Sequence, residues 1–363
     1  MSDVSRYAFI NAKLRARIGD LHTHALVENM IKAPNLAEAI ATLSGTRHDS
    51  LFRVYEETGD LQMVELALFE EEVGYHKELL KYLDSRTGKF VNVLLEKIEE
   101  ANLKNAVRLW FSASVMKHPI SYRSAYIDKD VIVNDIDYTK MINALTWDDL
   151  VKATEGTPYH EVYSHFTAES ISSQGLFHIE NMVDHLWYRR LFESFDDLSR
   201  KDEEVARSIY LVDVDIKNIL SIIRYGLYYD FKKEQMGEIF IPYGDVYRLL
   251  KEDLDDGQLE VNSARKIIGR LYPEAEDILE KMDMIAHPDI SKSDMATYTL
   301  RFEHYLNDRR NREFTGILSG DPFTVGTMLA YIFLRKAEDN MIKGILSAKY
   351  YHWDEERIRR ELN

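Results

Sequence analysis

Residues 211–224 read Leu-Val-Asp-Val-Asp-Ile-Lys-Asn-Ile-Leu-Ser-Ile-Ile-Arg, and this stretch decides the fold class. Leu211, Ile219 and Ile222, with Val214 and Ile223 flanking, recur at the spacing that brings side chains to one face of an α-helix. Strict alternation, the mark of a half-buried strand, is hard to find anywhere in the chain, and so are two-residue hairpin turns. The surroundings permit long helices: no proline occurs from Tyr159 to Ile241, and only seven prolines and sixteen glycines punctuate 363 residues. The expected fold is all-α.

Helix stops stand at Asp84-Ser85-Arg86-Thr87-Gly88, at Asp197-Leu198-Ser199-Arg200 and at Ser319-Gly320-Asp321-Pro322, each joining a capping side chain to a breaker or a charged turn. In the third, Asp321 is expected as N-cap with Pro322 at the first helical position. The three stops are related. Glu65, Glu180 and Glu303 each follow an apolar residue upstream, and Asn105, Asn218 and Met341 lie downstream, with Asp215 and Glu338 close by. The separations are 40, 38 and 38 residues, and the midpoints Ser85, Ser199 and Pro322 all fall on the stops.

Residues equally far from the turn of an antiparallel hairpin stand level with one another. The pattern therefore predicts a threefold internal repeat of helical hairpins in which Glu65 faces Asn105, Glu180 faces Asn218 and Glu303 faces Met341. If buried, the first two pairs are expected as carboxylate-to-amide hydrogen bonds. Three similar helical domains follow, at residues 1–125, 126–240 and 241–363.

Hydrophobic residues make up 45% and charged residues 30%, the balance of an ordinary globular chain. The longest nearly uninterrupted apolar stretch, Val325 to Leu334, is about half of the roughly twenty residues needed to cross a bilayer, so no transmembrane segment is expected. Without cysteine there are neither disulfides nor thiolate metal sites, and without a secretory leader the expected location is the cytoplasm or the cytoplasmic face of a membrane. A net charge of −16 argues against a nucleic-acid partner.

Catalytic chemistry finds no foothold. No Gly-x-x-x-x-Gly-Lys-Ser/Thr loop occurs, nor a Gly-x-Ser-x-Gly elbow. Among the twelve histidines, His160-Glu161 with His165 is spaced i, i+5, which turns the second ring about 140° from the first. His22 and His24 do not share a helical face, His178 and His185 lie too far apart for one ion, and Glu72 with His76 is a lone pair. No catalytic residue, metal or cofactor is expected. A helical metal-dependent or hydrolytic enzyme and an unrelated helical scaffold remain as alternatives.

The run Asp213-Val-Asp215-Ile-Lys217-Asn218-Ile-Leu-Ser-Ile-Ile-Arg224 resembles a helix of the V-type ATPase/ATP synthase C-subunit family, whose eukaryotic relative is the d subunit of the V-ATPase. Ile179-Glu180-Asn-Met-Val-Asp184-His-Leu-Trp-Tyr188 is similar to that family's Ile-Glu-x-x-Leu-Asp-x-x-Tyr-Tyr helix, and Ile241-Pro242-Tyr243-Gly244 to its Ile-Pro-x-Gly turn. The C-terminal segment from Tyr331 through Glu338, Met341 and Lys349 resembles the family's closing stretch, and Tyr7-Ala8 with Ala12 to Arg17 its opening. Met341, where asparagine is usual, and Ala337, where glutamate is common, depart from it. The resemblance implies three helical domains in a funnel-like, pseudo-threefold arrangement and no reaction centre. It implies a rotor part that seats the central shaft on the membrane proteolipid ring and transmits torque.

Overall fold

The structure is a computed structural model and describes residues 3–21, 24–120, 123–222, 237–255, 261–273 and 292–362. Every regular element among them is helical, as the periodicity requires. The chain divides into two compact units, Met1–Leu198 with Pro322–Asn363, and Ser199–Asp321. The first opens with α1 (Asp3–Asp20), α2 (His24–Lys32), α3 (Leu36–Ala41) and α4 (Asp49–Thr58), followed by the long helices α5 (Leu61–Leu80) and α6 (Ser85–Ser114). Short helices α7 (Tyr138–Ile142), α8 (Trp147–Lys152), α9 (Tyr159–Ser164) and α10 (Ala168–Gln174) lead to α11 (Phe177–Ser194). The second unit holds α12 (Arg200–Ser221), α13 (Gly244–Asp255), α14 (Val261–Leu271) and α15 (Lys292–Leu318). The chain re-enters the first unit with α16 (Gly326–Tyr350) and α17 (Glu355–Leu362).

Helix α6 shows how sequence becomes element and element becomes core. Asp84 caps it, its carboxylate accepting the Thr87 amide at 2.9 Å. Beyond the cap, Phe90, Val91, Leu94, Leu95, Ile98, Leu103, Ala106, Val107 and Trp110 form a buried stripe at helical spacing. That stripe packs against α7 and α11, while Trp110 meets Trp147 of α8 at 5.5 Å and Trp147 stacks on Tyr163 of α9 at 5.9 Å. Each such side chain taken fully from water contributes on the order of 1.5–3 kcal/mol. A second core joins the two ends of the chain: Met30, Ile31, Ile40 and Leu43 pack with Ile342, Ile345 and Leu346 of α16.

Two of the three stops stand where they were expected. The α5–α6 turn ends at the Asp84 cap, and Ser199 caps α12 by accepting the Asp202 amide at 3.3 Å. The third differs. Helix α16 starts at Gly326, not Pro322, and its N-cap position is Val325. Thr324 Oγ1 takes the Gly326 amide at 3.2 Å, while the Asp321 carboxylate is held by Lys201 at 3.0 Å.

The boundaries of the compact units fall at two of the expected turns, 198/199 and 321/322. The helix pairs that pack within each unit explain this. In the first unit α6 packs on α11 and α5 on α16, as well as α5 on α6; in the second, α12 packs on α15 and on α13.

Candidate functional site

The first unit carries two seams of charge between its long helices. Along α6 and α11, Arg190 makes two bonds to Glu96 at 2.6 and 2.7 Å, and Arg108 does the same to Glu180. Between them, Asp184 joins Lys97 at 2.5 Å and Lys104 at 2.9 Å, and Glu100 takes both lysines at 3.0 and 2.6 Å. Along α5 and α16, Glu65 pairs with Lys343 at 2.9 Å, Glu72 with Lys336, and Glu71 with Arg335 at 3.1 Å. Exposed rungs such as Arg108–Glu180 contribute at most about 1 kcal/mol each, but paired guanidinium–carboxylate geometry fixes helix register.

These seams correct the hairpin pairing. Glu65 bonds Lys343, so its expected link to Asn105 does not form; Glu180 bonds Arg108, and the amide of Asn218 bonds backbone of its own unit. Asn105 is exposed, and its side chain accepts from Arg108 at 3.4 Å. It does share a cleft of about 790 Å³ with Glu65, Arg108, Lys343, Tyr126 and Tyr351. Glu303 is half-buried on α15, and Arg224 lies outside the described residues.

The buried asparagines do another task. On α12, Asn218 Nδ2 donates to the Ile241 carbonyl at 3.0 Å while its Oδ1 accepts the Ile241 amide at 2.8 Å. One turn earlier, Asp215 accepts the Val246 amide at 2.9 Å and the Tyr272 hydroxyl at 3.1 Å. Burial pushes the Asp215 carboxyl up to about 6, and these two donors hold it from rising further. Helix α6 repeats the device with Glu99 and Asn102: Asn102 exchanges both bonds with Asp128 at 2.7 and 3.2 Å, and Glu99 takes the Val133 and Asn134 amides and Tyr159. The clamp residue of the first segment is therefore Asn102, not Asn105; an acid followed three residues later by asparagine, shared by Glu99-Asn102 and Asp215-Asn218, is the signal that would have found it.

The same spacing on α16 gives Glu338 and Met341. Glu338 meets the Arg47 guanidinium, and Met341 packs against the apolar core around Met30 and Ile31. Two turns further along α16, the Lys349 ammonium donates to the carbonyls of Ile31 and Ala33 at 2.7 and 2.6 Å. Replacing Asn218 with Leu, which strands a buried amide and carbonyl, is thus expected to lower stability by about 2–4 kcal/mol. Met341→Leu should lower it by less than about 1.5 kcal/mol. Denaturant midpoints check the pair, and equal shifts would refute the clamp.

Of the histidines weighed from sequence, His22 lies outside the described residues, and His76 and His160 have ordinary partners. His76 Nδ1 bonds the Glu72 carbonyl at 2.8 Å, and burial pulls its pKa down to about 4. His160 lies 3.3 Å from both Thr154 Oγ1 and the Val151 carbonyl. A histidine not singled out, His48, is fully buried beside Glu338 and Asp339, the one trio among the described residues whose ligand atoms lie close enough to share an ion. Burial raises the Asp339 carboxyl to about 7. No sequence window joins residues 48 and 338, so only folding brings them together.

Among the described residues no helix is long and apolar enough to cross a membrane. The family model for the ATP synthase (C/AC39) subunit matches residues 10–361. The C subunit of the A-type ATP synthase of Desulfurococcus sp. (strain SY) is 24% identical over 359 residues, 97% of this chain and 89% of that protein. Its counterpart from Thermococcus onnurineus is 22% identical over 345 residues, 93% and 85% of the two chains. That from Archaeoglobus fulgidus is 23% identical over 316 residues, 85% and 81%.

Proposed function

The chain belongs to the ATP synthase (C/AC39) subunit family, and from that membership we propose that it is the rotor part that seats the central shaft on the membrane proteolipid ring. It is a subunit of a rotary ATPase, non-catalytic and coupling rather than an enzyme. It rests on the cytoplasmic face of the membrane without a span of its own, touches ring and shaft, and turns with them. In this reading the three segments are three similar helical domains related by the threefold repeat.

The single observation that carries the proposal is the family match running almost from end to end. The seams support it physically. A part that passes torque needs helices that do not slide, and the paired charges along α6–α11 and α5–α16 oppose sliding, because a shift of one residue, about 1.5 Å, misaligns every rung.

The test is reconstitution. Detergent-solubilised ring and purified shaft subunits are mixed with and without the chain, then joined to the ATP-hydrolysing head in vesicles. The chain is expected to be required for a stable shaft–ring complex and for ATP-driven ion uptake, and to turn over no ATP alone. Full coupling in its absence would overturn the rotor reading.

A further inference from the structure

Beside α16 in the first unit, charge is buried without the hydrogen bonds that usually accompany it. Glu338 is 6% exposed and Asp339 3% exposed; neither oxygen of Asp339 nor Glu338 Oε1 has a hydrogen-bond partner among the described residues, while Glu338 Oε2 meets the Arg47 guanidinium. Buried carboxylates normally bind several donors or a metal ion. Their neighbours are charge partners only: Arg47 lies against Glu338 Oε2, and Arg335 Nε stands 3.5 Å from Asp339 Oδ1. Three cations, Arg47, Arg335 and Lys336, thus face four carboxylates, Glu71, Glu72, Glu338 and Asp339.

We propose that His48, Glu338 and Asp339 form a binding site for a first-row divalent cation, of which zinc and manganese fit best. Their ligand atoms lie within 4.8 Å of one another, close enough for small side-chain rotations to bring all three onto one ion. His48 is already oriented as a ligand. Its Nδ1 is 2.9 Å from Glu71 Oε2 and its Nε2 accepts from Arg47 Nε at 3.4 Å, so in this arrangement the proton belongs on Nδ1, and Glu338 Oε2 stands 3.7 Å from Nε2. Glu71 is itself fixed by Ser50 and Arg335. A carboxylate behind the imidazole is the arrangement that holds metal-binding histidines elsewhere.

The mixed nitrogen and oxygen donors select the ion, since an imidazole disfavours magnesium and calcium. Three protein ligands leave a fourth position for water. Arg47 occupies the place of the ion's positive charge and competes with it. That guanidinium is able to withdraw: its side chain is 27% exposed, its other end donates to the Asp20 carbonyl at 3.0 Å, and it lines a cavity of about 580 Å³ that also reaches Glu338.

The experiment uses the full chain, stripped with EDTA and titrated calorimetrically with Zn²⁺ and, separately, Mn²⁺. One ion per chain is expected. Asp339→Asn and His48→Gln should each weaken binding at least about tenfold, and Glu71→Gln by about 10–100-fold through the imidazole it orients. Arg47→Gln should tighten it, because the competitor is gone. Wild-type affinity in both Asp339→Asn and His48→Gln, or weakening in Arg47→Gln, would overturn the site. Should the variants fail to fold, the unmodified protein decides: substoichiometric Mn²⁺ should broaden the His48 imidazole resonances first. Broadening confined to other histidines would overturn the proposal equally.

Discussion

Gly244→Ala is expected to destabilise the protein by about 3–5 kcal/mol. Gly244 has φ +84°, and a Cβ built there would lie 2.2 Å from Asp215 Oδ1 and 3.1 Å from Asp215 Cγ. The oxygen has nowhere easy to go, because it accepts the Val246 amide while its twin accepts Tyr272. The new methyl therefore adds backbone strain and also breaks one or both bonds to a buried carboxylate. Gly156→Ala supplies the comparison: φ is +79°, but nothing lies within 4 Å of the added carbon, so only the backbone penalty of roughly 1–2 kcal/mol applies. Thermal or denaturant unfolding of the two variants measures the difference. Equal losses would mean that Asp215 moves aside freely and that the clamp does not constrain the turn at residues 241–246.

The second large effect is expected at Glu99. Its side chain is fully buried and accepts the Val133 amide at 2.8 Å, the Asn134 amide and side chain at 2.7 and 2.6 Å, and Tyr159 Oη at 3.1 Å. Truncation to Ala removes the acceptor for all four donors at once and leaves a cavity in the core beneath α7–α9. A loss of about 3–5 kcal/mol follows. Glu180→Ala removes a carboxylate of equal charge from an open seam, where its partner Arg108 still reaches water, and should lose under about 1 kcal/mol. Hydrogen exchange adds a local reading, since the Val133 and Asn134 amides should lose protection in Glu99→Ala. Unchanged exchange there, or equal destabilisation by the two substitutions, would be incompatible with the clamp.

The helices, the turns at Asp84 and Ser199 and the family were legible from residue order because each depends on neighbours along the chain. A cap needs only its own first turn, and an apolar stripe needs only its own helix. Even the third stop is settled locally: the helix begins after Val325, and the Thr324 hydroxyl just before it accepts the Gly326 amide at 3.2 Å. Asn102 was within reach of the same logic, since it shares with Asn218 the spacing from an acid one turn earlier.

Which helix each carboxylate would face was not legible. A stripe of apolar residues states that a face is buried, and the adjacent helix of a hairpin and a helix distant in sequence satisfy that statement equally well. Glu65 could equally have met Asn105 on the next helix, yet it pairs with Lys343, 278 positions along the chain from 65 to 343. Glu180 likewise reaches back to Arg108 on α6. Residue order settled the helical state, the stops and the kinship of this protein, because hydrogen bonding along a helix and at its cap is local. Tertiary structure alone selected the seams and placed His48 against Glu338 and Asp339, because close packing chooses among distant partners by shape and charge together, and those partners share no sequence window.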